Sequence, residues 1–88
     1  MARRLEWNID VEGENHKVAL DYCMFMGKAI VEIDGDKFDI STGLFKLRGT
    51  SQMFKLGEKP AMLDFPKKGK PGIIFDGVRL SSEKIIIK

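Results

Sequence analysis

Ala29-Ile30-Val31-Glu32-Ile33-Asp34-Gly35-Asp36-Lys37-Phe38-Asp39-Ile40 is the stretch on which the fold turns. Ala29, Val31 and Ile33 alternate with Lys28, Ile30 and Glu32, the two-residue period of a strand with two distinct faces. Asp34-Gly35 ends the run. That dipeptide between alternating segments is a strong hairpin signal, because a type I′ turn needs positive φ at both central residues. Phe38 and Ile40 begin the return strand.

The same period extends in both directions. Upstream, Trp7, Ile9 and Val11 alternate with Glu6, Asn8, Asp10 and Glu12, and Gly13-Glu14-Asn15 turns the chain. Val18, Leu20 and Tyr22 then alternate with Lys17, Ala19 and Asp21. Downstream, Leu44-Phe45-Lys46-Leu47-Arg48 between Gly43 and Gly49, and Gln52-Met53-Phe54-Lys55-Leu56 before Gly57, are expected as two neighbouring strands. Pro60 restricts Ala61-Met62-Leu63-Asp64-Phe65 to an edge or a start position. Pro66 to Gly72 is a loop by composition, and Ile73-Ile74-Phe75, Asp76-Gly77 and Val78-Arg79-Leu80 form a last hairpin. Ile85-Ile86-Ile87 suits a short edge strand. No window carries a helical stripe longer than about two turns. The expectation is an all-β domain, a small antiparallel β-sandwich of about seven to nine short strands; a small closed β-barrel is the alternative, since alternation does not decide closure.

Eighty-eight residues support one domain, 1–88. With 43% hydrophobic and 32% charged residues, the chain has the composition of a folded protein rather than a disordered one. A net charge of +2 is too small to argue for nucleic acid. The charge is unevenly spread: residues 1–42 hold five Lys/Arg against nine Asp/Glu, and residues 43–88 hold ten against four. In a compact fold the two halves interleave, so this asymmetry need not become a surface dipole. A single cysteine, Cys23, excludes an internal disulfide and points to a reducing compartment. Arg3 and Arg4 are followed by Glu6, Asn8 and Asp10 rather than by an apolar run, so no signal peptide is expected. The apolar stretches fall far short of the ~20 residues of a membrane span, and a cytoplasmic location is expected.

Several of these residues, in order, resemble one known family. Trp7 ahead of His16-Lys17-Val18, Gly27-Lys28 leading into Val31-Glu32-Ile33-Asp34-Gly35, and Leu44-Phe45-Lys46-Leu47-Arg48-Gly49 look like the amino-terminal domain of the Fas apoptotic inhibitory molecule family. The likeness continues more weakly through Met53-Phe54 to Gly57 and at Phe75-Asp76-Gly77. It implies a compact antiparallel β-sandwich without catalytic function. It also implies a role in protein–protein contact, since family members modulate death-receptor signalling and are associated with protection from misfolded protein. Two departures stand out. The family carries two such domains in tandem where these residues hold one, and the apolar loop at Cys23 and the shortened Pro66–Gly72 region differ from its pattern.

Residues with chemical potential are few. His16 is the only histidine, and it lies an odd number of residues from Cys23 on one strand run, so the two face opposite sides of a sheet. A nucleophilic or metal site needs more partners than these, and His16 reads as a hairpin-end residue bonded to nearby backbone. Asp34, Asp36 and Asp39 invite a calcium reading, but Gly35 comes too early and no acid stands at the closing position. No cofactor or metal is expected. Lys67, Lys68 and Lys70 form the one candidate anion contact; without interleaved aromatics or arginines, base stacking and bidentate readout are unavailable to them.

Two stretches suit partner contact. Cys23-Met24-Phe25-Met26 is apolar where a strand connection should be polar. Its side chains either cap the open end of a sandwich or present an adaptable surface to a partner, with Phe25 as anchor. Ile85-Ile86-Ile87 either pairs with another copy at a sheet edge or folds back onto its own sheet, with Lys84 and Lys88 as guards against edge aggregation. The functional expectation is a non-enzymatic protein-interaction domain. The alternatives are an anion-binding β domain acting through the lysine loop and a structural subunit of an oligomer.

Overall fold

The computed structural model describes residues 3–87, with backbone alone for 84–87. Nine strands follow one another: β1 (Arg3–Val11), β2 (Glu14–Cys23), β3 (Lys28–Ile33), β4 (Asp36–Asp39), β5 (Thr50–Leu56), β6 (Lys59–Phe65), β7 (Gly72–Phe75), β8 (Val78–Leu80) and β9 (Lys84–Ile87). They form two separate antiparallel sheets, β4-β3-β2-β1-β9 and β5-β6-β7-β8, so the architecture is a sandwich and not a closed barrel.

Alternation decides the interior. Leu5, Trp7, Ile9 and Val11 of β1 and Val18, Leu20 and Tyr22 of β2 face Ala61, Leu63 and Phe65 of β6 and Ile73 of β7 in one core. Each large aliphatic side chain taken fully out of water there contributes about 1.5–3 kcal/mol. Trp7 also ties the layers together, its indole N–H donating to the Leu80 carbonyl at 3.1 Å.

Residues 44–48 are not a strand, contrary to their alternation. β4 and β5 belong to different sheets, so the chain must cross between layers here. Phe45 and Gly49 take φ of 60° and 80°, which breaks an extended run. Turn bonds replace ladder bonds, from Lys46 N–H to Gly43 O at 3.0 Å and from Thr50 N–H to Leu47 O at 3.1 Å. Of the five residues only Leu47 is buried. β6 lies inside its sheet, and Pro60 is tolerated because it stands near the strand's start.

Hairpin geometry sorts the connections between two ends. Register leaves two-residue turns at Glu12-Gly13, Asp34-Gly35, Gly57-Glu58 and Asp76-Gly77. Three of these pair an acidic residue and a glycine that both have positive φ, the type I′ requirement. All four sit at one end. The longer connections 24–27, 40–49 and 66–71 gather at the other.

Candidate functional site at the loop end

Tyr22 is the last buried residue of β2, and the chain then turns through Met24 to Gly27, whose N–H donates to Met24 O at 3.3 Å. The four apolar loop residues divide. Met24 packs partly against the core and Cys23 is half-buried, whereas Phe25 and Met26 are 58% and 44% exposed. The loop is thus divided, Met24 packing towards the core and Phe25 and Met26 standing in solvent. Backbone N–H groups of Met26 and then Phe25 directed at the Cys23 sulfur hold its thiol below the usual range, while desolvation opposes them.

The crossover packs against this loop. Thr42 N–H donates to Gly27 O at 2.7 Å and Phe45 N–H to Phe25 O at 3.2 Å. The rings of Phe25 and Phe45 meet edge to face, centroids 4.8 Å apart and planes at 85°. Phe45 is 67% exposed and its neighbour Leu44 56%. The outcome is an apolar ridge on a backbone tied down from both sides.

The lysine loop arrives at the same end. Arg48 Nη1 donates to Lys67 O at 3.2 Å, and Arg79, itself paired with Asp64 at 2.6 Å, donates to Lys70 O at 3.0 Å. Lys67 lies along Gly49, and Lys68 is exposed. A cleft of about 400 Å³ opens between Arg3, Tyr22, Phe25, Arg48 and Lys70. A smaller one of about 210 Å³ lies between Met24, Phe25, Phe45 and Arg48. Aromatics and arginines, which the lysine run lacks in sequence, thus stand beside it in space.

Elsewhere some cations are matched. Arg4 meets Glu6, Asp21 and Glu32 across the outer face of the first sheet, and Lys59 meets Glu12. Among the described residues, Arg3, Lys46, Arg48, Lys67, Lys68 and Lys70 have no carboxylate within ion-pair distance. Each tight turn holds an acidic residue, while cations without an ion pair among the described residues stand in the loops and also on the strands at Lys17, Lys37 and Lys55.

The chain matches no family model, no curated protein and no solved structure.

At the turn end, His16 is buried and its Nδ1 shares a 2.6 Å hydrogen bond with the Asp34 carboxylate, not with backbone. Asp34 also accepts from Lys17 N–H at 2.9 Å. These two bonds, that from His16 foremost, hold Asp34 below the usual carboxylate range. The adjoining cleft is lined by Glu12, Glu14, Glu58 and Lys59 among others, with no hydroxyl or thiol. Among the described residues no three His, Cys, Asp or Glu stand together as metal ligands. No helix there is long and apolar enough to cross a membrane. β9 is the edge strand beside β1, in the register Arg3↔Ile87 to Glu6↔Lys84, while the side chains of Ile85, Ile86 and Ile87 lie outside the described residues.

Leu44, Phe45, Arg48 and Arg3 are the site residues that alternation concealed. The flanking Gly43 and Gly49 were the available signal that residues 44–48 leave the sheet.

Proposed function

We propose that the protein is a non-catalytic binding module that engages another protein through the loop end of its sandwich. The observation that carries this reading is Phe45. A bulky residue at φ 60° is an uncommon and costly backbone state. Here it is kept in order to hold a ring that is mostly in water, against a second ring that is also mostly in water. Core packing does not account for that arrangement, whereas a contact surface does, since fully burying one Phe against a partner contributes about 1.5–3 kcal/mol. Aromatic anchors on a rigid support are the usual centre of such interfaces.

Two further features support the reading. His16 and Asp34 form a well-bonded pair, and the cleft beside His16 is lined by no hydroxyl or thiol for them to activate. The resemblance to the Fas apoptotic inhibitory molecule family points the same way, towards protein contact without chemistry.

A photo-crosslinking phenylalanine analogue placed at position 25 or 45, and at exposed Val78 as control, tests the proposal in lysate. Expected are discrete adducts from 25 and 45 that Phe25→Ser or Phe45→Ser competitor protein fails to suppress and wild-type competitor removes. Equal labelling from all three positions would sink it.

A further inference from the structure

The chemistry of the loop end restricts what it binds, an inference resting on the protein-binding reading above. We infer that the partner presents a short polypeptide segment in which carboxylates flank an apolar side chain. The apolar group sits against Phe25 and Phe45, and the carboxylates face Arg48, Arg3 and Lys70.

The two clefts carry the argument. They share Phe25 and Arg48, so an apolar subsite and a cationic subsite adjoin without a gap. Neither cleft has an acidic residue in its lining. The guanidinium of Arg48 is tethered by one Nη to the Lys67 carbonyl, which restrains it without neutralising its charge. A planar guanidinium with donors to spare suits a carboxylate in a bidentate pair. Arg3 and Lys70 on the far wall likewise lack an acidic partner among the described residues, although other cations of this protein have found one.

Shape and charge favour a peptide over a nucleic acid. The molecule measures 38 × 24 × 20 Å, so its end spans about six or seven residues of extended chain at ~3.3 Å each. A longer polyanion would run on towards Glu12, Glu14, Asp34 and Glu58 at the opposite end and be repelled. Bases need open ring faces on which to stack. In this pair the edge of one ring covers one face of the other, and Met24 lines the cleft beside them. The opposed charges of the two ends also orient the molecule on approach, basic loops first, towards an acidic target.

Fluorescence anisotropy with short labelled peptides tests this on the intact protein. One probe carries Leu-Phe flanked by glutamates; in two others serines or lysines replace the glutamates; an oligothymidylate is the fourth. The glutamate peptide is expected to bind about tenfold more tightly than the serine peptide at low salt, the combined effect of several exposed ion pairs. Arg48→Glu or Lys70→Glu is expected to remove that preference. Amide shifts at Phe25, Phe45 and Arg48 should accompany binding. Equal affinity for the glutamate and serine peptides overturns the acidic partner while leaving protein binding at this end intact. Tighter binding of oligothymidylate than of the glutamate peptide overturns it in favour of nucleic acid. If no peptide moves the Phe25 or Phe45 amides, the protein-binding reading itself falls.

Discussion

Gly27 lies directly against the backbone of Gly43, so that a methyl group on Gly27 would overlap the Gly43 carbonyl. This contact joins the β2–β3 loop to the crossover between sheets. Gly27 also has φ of 69°, where a side chain costs about 1–2 kcal/mol even without a neighbour. Gly27→Ala is therefore expected to destabilise the fold by about 2–4 kcal/mol, strain and overlap together. Urea denaturation measures it, and an unchanged midpoint would show that the two loops move apart freely.

Two apolar residues of the crossover should respond in opposite ways. Leu47 is 1% exposed, and Leu47→Ala should cost about 2–5 kcal/mol through the cavity it leaves. Phe45→Gly relieves a left-handed backbone and removes an exposed ring, so stability should hold or rise by up to about 1 kcal/mol. Binding at the loop end should vanish all the same. If Phe45→Gly unfolds the protein, the ring belongs to the core.

How far the fold could be read beforehand depended on whether neighbouring residues shared one sheet. The β1–β2 and β3–β4 hairpins follow directly from period-two runs and the turn residues between them. Residues 44–48 carry the same alternation but lie between sheets, and nothing in a local pattern records that change of layer. The loop residues Phe25 and Met26 were visible as an anomaly. Their meeting with Phe45, Arg48 and Lys70 was not, because three connections far apart in the chain converge only once both sheets have stacked. His16 and Asp34 are hidden in the same way, on β2 and on the turn that returns from β3.

Acid should weaken the fold through Asp34. Its carboxyl is held below the usual range by His16 and by the Lys17 N–H, so it binds a proton less readily folded than unfolded. The stability it contributes is present above about pH 4 and is lost as pH falls through the lowered folded value. Asp34→Asn is expected to be less stable than wild type at neutral pH, with the gap closing in acid. A gap of constant size down to about pH 2 would exclude this carboxylate as the titrating group.

Trp7 offers a test of how the layers are held. Trp7→Phe removes the donor to the Leu80 carbonyl and part of the filled volume, with an expected cost of about 1–3 kcal/mol. Guanidinium denaturation followed by far-ultraviolet circular dichroism gives the number. A loss below about 0.5 kcal/mol would mean that water replaces the bond.

Strand alignment in this protein is set where its four tight turns are, because a two-residue hairpin admits one register. Of the three longer connections at the opposite pole, 24–27 and 66–71 also join paired strands, whereas 40–49 joins strands of different sheets and sets no register. Most residues of 40–49 are therefore free to be replaced, lengthened or regrafted with little loss of fold, provided that Gly43, which packs on Gly27, and Leu47 stay. Divergence would then alter what the domain grips far sooner than how it assembles.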